Sequence, residues 1–230
     1  GGNLGGFAVT GTWANRQLWM VDNTTSGYGL IRWDMQADGT LAAGDQGTQL
    51  VQVGSPDGLD DSAFDVAVDK NGRIYVVVEP SASTYMIMRF PAYTGSALTT
   101  ADWKADNTSY DDGNWDNDFA IAVNPAATYA AVALNDSNAL QVLDAKTGLT
   151  VTNIPLGNAA HAVAWDNVGN AYVAFDVNGD QSLWQAWSPP GANQATTPGL
   201  ETLHVLAAPH ISDLSRTGPN VVIHVTGPTS

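Results

Sequence analysis

Cysteine is absent from the 230 residues, so no disulfide framework, thiolate nucleophile or thiolate metal site can form. Basic residues are scarce: 8 Lys and Arg face 23 Asp and Glu, a formal net charge of −15. A phosphate backbone or an anionic lipid surface needs a basic patch, so neither nucleic acid nor membrane insertion is expected. No apolar run approaches the ~20 residues of a membrane-spanning helix. Glutamate is nearly missing: Glu79 and Glu201 are the only two, and the other acids are aspartates. Aspartate favours turns and disfavours helices, so this bias predicts strands and turns. Charged residues make up only 13%, so the polar surface must come from Asn, Thr, Ser, Gln and Gly. No HExxH, no Gly-x-Ser-x-Gly and no Ser/His/Asp order appears, which removes the usual hydrolase signatures.

What is present is a core-forming content of 44% hydrophobic residues and an internal repeat. Val66-Ala67-Val68-Asp69, Ile121-Ala122-Val123-Asn124 and Val163-Ala164-Trp165-Asp166 share one pattern: branched aliphatic, Ala, large apolar, then Asp or Asn. A short turn follows each, then an apolar run: Ile74 to Val78, Tyr129 to Leu134, Ala171 to Phe175. A weaker copy, Thr10-Gly11-Thr12-Trp13, precedes Leu18 to Val21. The small residue thus recurs at 11, 67, 122 and 164, at intervals of 56, 55 and 42 residues. A four-stranded propeller blade takes about 40–50 residues. Third strands are expected at Leu30 to Asp34, Met86 to Phe90, Leu140 to Asp144 and Ser182 to Trp187. Fourth strands are expected at Gln49 to Val53, around Thr99 to Trp103, at Leu149 to Ile154 and at Thr202 to Leu206.

The chain therefore reads as all-β, a β-propeller of about four four-stranded blades spanning roughly 7–53, 64–103, 119–154 and 161–206. Strands covered on both faces read as unbroken apolar runs, as Ile74-Tyr75-Val76-Val77-Val78 does. The recurring Ala or Gly is expected where neighbouring sheets crowd together at the axis. A β-sandwich with coincidentally similar strands is the alternative architecture. Residues 207–230 fit a partial fifth blade or the start of an immunoglobulin-like module, through strands near His210 to Asp213 and Val221 to Val225. Gly1 to Gly6 reads as a linker or processed end. The chain is expected to be a piece of a longer one, or to close its ring with another copy.

With its Ala67-Val68-Asp69 followed by Gly72-x-Ile74-Tyr75-Val76-Val77 reading, the repeat resembles bacterial secreted propellers of the NHL/YVTN type over about residues 7–206. The resemblance implies a secreted or cell-surface setting and, for most members, binding or scaffolding. It carries over no functional residue. The Gly-His and Trp-Asp signatures of WD40 blades are lacking at the blade ends, and the regular Trp-rich repeats of tachylectin-type lectins are lacking too.

Candidate sites lie mainly in the loops before the repeat strands. Asp61, Asp116 and Asn158 fall in register, with Asp118 close by, and clustered carboxylate and amide oxygens suit Ca²⁺, which takes six to eight oxygens. Solvated, turn-rich loops would carry the same residues. Asp176-Val177-Asn178-Gly179-Asp180 opens like an EF-hand loop but has Gln181 where glycine and Trp187 where glutamate belong, and Asn178-Gly179 reads better as a hairpin turn. Trp103, Tyr110 and Trp115 lie in one polar stretch that could stack sugars; blade-edge packing is the other reading. His161 matches Phe64 and Phe119 in register and is expected to pack or to face the axis, where it joins Trp103, Tyr110 and Trp115 as a ligand-binding candidate. The leading expectation is a non-catalytic extracellular propeller module: a scaffold, adhesion or assembly unit whose partners are copies of itself or cell-surface glycans. A lectin-like module with Ca²⁺ is the alternative, and a segment of a propeller hydrolase or lyase is the third reading, since a carboxylate pair could serve glycoside hydrolysis.

Overall fold

The computed structural model describes residues 3–23, 29–51, 59, 63–81, 84–106, 119–135, 137–177, 181–191, 210–217 and 220–226. The chain divides into a unit of Gly1–Ala195 and a unit of Thr196–Ser230. The fold is all-β, four blades of a β-propeller, with no helix among the described residues.

In the first unit the strands run in chain order, each antiparallel to the next. Blade 1 holds β1 (Asn3–Thr12), β2 (Asn15–Asn23), β3 (Leu30–Asp34) and β4 (Thr48–Val51). Blade 2 holds β5 (Ala63–Val68), β6 (Ile74–Ser81), β7 (Thr84–Phe90) and β8 (Trp103–Asp106). Blade 3 holds β9 (Phe119–Val123), β10 (Tyr129–Leu134), β11 (Ala139–Asp144) and β12 (Thr150–Pro155). Blade 4 has three described strands, β13 (Ala160–Trp165), β14 (Ala171–Val177) and β15 (Gln181–Trp187). The strand expected at Thr202 to Leu206 lies outside the described residues. In the second unit β16 (His210–Thr217) pairs antiparallel with β17 (Asn220–Thr226).

The first strands pack on one another in succession, β1 on β5, β5 on β9 and β9 on β13. They form the inner edge, and the four positions 11, 67, 122 and 164 all lie on them. The apolar core is accordingly three separate layers. Trp19, Val21 and Leu30 of blade 1 meet Val66, Val76 and Phe90 of blade 2. Tyr75, Val77 and Ile87 of blade 2 meet Phe119, Val132 and Leu134 of blade 3. Ala131, Ala133 and Val142 of blade 3 meet Ala160, Ala171 and Val173 of blade 4. Side chains alternate between the two faces of a strand. Ile74, Val76 and Val78 therefore serve the first layer while Tyr75 and Val77 serve the second. That double duty makes the run continuously apolar.

Two expectations need correction. Gly1 to Gly6 is not simply a linker, because β1 begins at Asn3. At Gly5 a Cβ would lie 2.6 Å from the Ala63 carbonyl, and at Gly6 it would overlap the Asp65 carboxylate. The glycines are there because β1 closes on β5. Axial crowding explains only part of the small-residue repeat. Ala67 is buried, but Gly11 and Ala164 are exposed, because each faces a side of its blade with no described neighbour.

Candidate functional site

The repeat's Asp or Asn proves to be a turn-building residue. Asp69 accepts from the backbone N–H of Asn71 (2.7 Å) and Arg73 (3.1 Å), from Arg73 Nε (2.7 Å) and from the Tyr75 hydroxyl (3.2 Å). Asp166 repeats the pattern with Val168 N–H (3.0 Å), Asn170 N–H (2.8 Å), Asn170 Nδ2 (2.8 Å) and the Tyr172 hydroxyl (3.4 Å). Asn124 does the same work in blade 3 through Thr128 N–H (2.8 Å) and Tyr129 N–H (3.0 Å). Partial burial pushes the Asp166 carboxyl up, yet these donors outweigh it and hold the group below its ordinary value. Burial, with the Asp69 charge beside it, pushes the Tyr75 hydroxyl up to about 12.

A second set of polar groups joins blades 2 and 3. The Ala145 carbonyl of blade 3 accepts from Arg89 (2.6 Å), the Trp103 indole N–H (3.3 Å) and the Tyr75 hydroxyl (3.4 Å), all from blade 2. Asp102 pairs with Arg89 at 2.8 Å. The Tyr85 hydroxyl donates to Gln141 Oε1 at 2.8 Å in the buried layer. Asp65 on β5 accepts from the Ile121 N–H of β9 (2.9 Å) and from Val66 N–H (2.8 Å). Ile121 lies on an inner-edge strand, whose outward N–H groups need a partner, and Asp65 supplies one. Burial raises the Asp65 carboxyl to about 6 against those two hydrogen bonds.

Between blades 1 and 2 opens a cleft of about 490 Å³. The Arg32 guanidinium lies 5.5 Å from the Trp19 ring and 5.5 Å from the Tyr93 ring, paired with Asp34. Thr10, Gln17, Asp69 and Lys70 complete the polar lining. Trp19 donates to the Thr10 hydroxyl at 2.8 Å, which fixes the indole. Two of the chain's eight cations therefore face one cleft of an otherwise acidic molecule.

The outward face of blade 1 carries the other conspicuous feature. Ala8 packs toward blade 2, so Phe7 and Val9 point the opposite way, and they are 68% and 51% exposed. Cross-strand pairing puts Met20 beside Phe7 and Leu18 beside Val9, then Ile31 and Trp33 beyond them. The loop 35–47 shields Ile31 and Trp33: a Cβ at Gly47 would lie 2.5 Å from the Trp33 ring. Phe7, Val9, Leu18 and Met20 remain an apolar strip next to the inner edge.

Of the residues singled out from sequence, Asp61, Tyr110, Trp115, Asp116 and Asp118 lie outside the described residues. Asn158 is exposed in the turn before β13. Among the described residues no group of three His, Asp or Glu side chains could hold a metal ion. Trp103 sits on outer strand β8 rather than in a loop, with its indole bonded to Ala145 and its ring edge-on to Tyr75 at 6.0 Å. Its ring belongs to the wall between blades 2 and 3. His161 occupies a bulge on β13 that corresponds to the Phe64 bulge on β5, and Phe64 meets Phe119 edge-on at 5.5 Å. Trp103 and His161 thus stand in different blades, one on an outer strand and one on an inner strand. Sequence reading missed the cleft of Trp19, Arg32 and Tyr93, whose residues come from two strands and a distant loop with no local motif.

No protein-family model matches the chain, and no curated protein matches it in sequence. Solved structures do match in fold. A protein of unknown function from Bacteroides caccae is 13% identical at a TM-score of 0.54, over 84% of this chain and 60% of that one. The computationally designed Ika8 protein is 12% identical at a TM-score of 0.51, over 96% of this chain and 55% of that one. The chain thus spans little more than half the length of these two proteins.

Proposed function

We propose that the chain is a non-catalytic extracellular propeller module, an assembly unit of a larger secreted or cell-surface structure, and that it works through the open face of blade 1. One observation carries this reading. The faces of blades 2 and 3 are covered by neighbouring sheets, whereas Phe7, Val9, Leu18 and Met20 form the same kind of face with no described cover. Contiguous exposed apolar surface on a folded protein marks an interaction site. The NHL/YVTN-like repeat supports the secreted, bacterial setting. The hydrogen-bonded polar groups support a structural role, because Asp65, Asp69, Arg89 and Tyr85 direct their hydrogen bonds to turns and blade joints.

A photoreactive benzophenone side chain at position 7 tests the reading. Irradiation should join the chain covalently to whatever polypeptide packs on this face. A probe at position 7 that yields no polypeptide adduct, in purified protein or in the culture medium of a producing cell, removes the proposal.

The cleft favours a second reading, a lectin-like module for acidic saccharides. Half-buried Tyr93 offers a ring, Trp19 lies beneath it as a reporter, and Lys70 and the Asp34-paired Arg32 offer positive charge. Uronic acid oligosaccharides should quench tryptophan fluorescence in the intact chain and fail to do so after Tyr93→Ala. Equal quenching in both proteins discards it.

A further inference from the structure

The chain carries both halves of one interblade joint, one at each end of its blade stack. Blade 2 receives blade 3 on a face that includes Ala67, paired across the strands with Tyr75. Blade 4 presents the same pair in the same register, Ala164 opposite Tyr172, on the side facing away from blade 3. The likeness extends to the turn: Asp69 holds the Tyr75 hydroxyl as Asp166 holds the Tyr172 hydroxyl. In blade 2 that tyrosine reaches across to the Ala145 carbonyl of the incoming blade. In blade 4 Ala164 is exposed and Tyr172 is only half-buried. The complementary half is the apolar strip of blade 1. In blades 2 and 3 the corresponding face supplies Val66, Ile74 and Val76, or Ile121, Ala130 and Val132, to the preceding blade. In blade 1 it supplies Phe7, Val9, Leu18 and Met20 to nothing described.

From this we infer that the occupant of the blade 1 face is the blade 4 face of a second copy of the same chain, and the reverse, so that two chains join head to tail. The inference rests on the assembly reading above and names its partner. A surface that repeats an interface already formed three times within the molecule needs no new chemistry. The incoming Phe7 and Val9 meet small side chains, as Ile121 and Val132 do at Ala67. A head-to-tail contact generates a closed ring when the rotation closes and a filament when it does not. The two solved structures of like fold, of which this chain covers 60% and 55%, show that the fold accommodates much more chain than one copy supplies. Two copies joined at both ends form such a closed assembly with a twofold axis.

The test uses the whole chain and two surface variants, Phe7→Asp and Ala164→Arg, both at exposed positions and each checked for native circular dichroism. Sedimentation equilibrium of the unaltered protein should give twice the 24.1 kDa chain mass. Each variant alone spoils both contacts of the pair and should sediment as a single chain. An equimolar mixture should recover a two-chain species, because one of its two contacts is then wild type on both sides. A single-chain mass for the unaltered protein overturns the inference, and so does undiminished pairing of either variant. In those cases a position-7 adduct to another polypeptide would leave the broader assembly reading standing.

Discussion

Asp65 sits where three inner strands meet: it is on β5, bonds to β9 and leaves no room for a side chain at Gly6 of β1. Its carboxyl titrates near 6 in the fold, against an ordinary value of 3.8. A raised value means that the folded state holds the proton more tightly than the unfolded chain. The contribution is therefore complete below about pH 4 and is lost as pH rises through about 6, a span of about 3 kcal/mol. Replacing Asp65 by Asn removes the charge and keeps one acceptor. Urea unfolding at pH 4, 5, 6 and 7 should show the wild-type-minus-variant stability falling by up to that amount, and parallel curves would contradict the assignment. Asp69 is a different kind of carboxylate, with a fully buried side chain paired to Arg73 at 2.7 Å. Asp69→Ala leaves two backbone donors and the Arg73 Nε without their acceptor and should cost about 3 kcal/mol. Asp69→Asn should cost about 1 kcal/mol, since Asn124 organises the equivalent, one-residue-longer turn in blade 3 and the neutral amide still accepts from the backbone. Urea midpoints of the two variants check the ordering; the two costs become equal if charge rather than turn geometry is what matters.

A strand pair can approach closely only where side chains permit, and β1 meets β5 through Gly5 and Gly6. Gly6→Ala should push β1 off β5, costing about 2 kcal/mol and speeding amide exchange along residues 5–12. Unchanged exchange there would show that β1 is held by other contacts. Strands of this kind were readable in advance wherever both faces are covered. The runs at Leu30–Asp34 and Tyr129–Leu134 coincide with β3 and β10 residue for residue. The outer strand β8 was not so clear: expected around Thr99 to Trp103, it begins at Trp103 and alternates half-buried with exposed residues. Such a strand has one packed face and little apolar signal. The repeating Asp or Asn was visible as a letter, but its role was not, because hydrogen bonds to residues two to six positions later leave no hydrophobic pattern. Aromatics gave the same difficulty. Trp103 in a polar stretch reads as a binding residue until Ala145, 42 positions later, is found accepting from its indole. Trp19, Arg32 and Tyr93 gave no warning of a shared cleft, since only the folding of blade 1 against blade 2 brings them together.

At the scale of the molecule, a net charge of −15 opposes both compaction and self-association. Added salt shortens the reach of that repulsion, from ~30 Å at 0.01 M to ~8 Å at 0.15 M. The apolar strip of Phe7, Val9, Leu18 and Met20 has no charge to lose by screening. The two-chain complex should therefore tighten several-fold between 10 and 150 mM NaCl in sedimentation runs, and weakening with salt would point to a joint held by ion pairs. The three separate apolar layers have one more consequence. Each sheet is held only by the sheets beside it, so cohesion is shared out in near-equal parcels along the chain instead of residing at one centre. Tension applied to such a chain is met parcel by parcel: one blade peels away, slack is released, and the next bears the load. A tether built in this way absorbs work in instalments, and joining its free ends would remove the blade from which peeling starts.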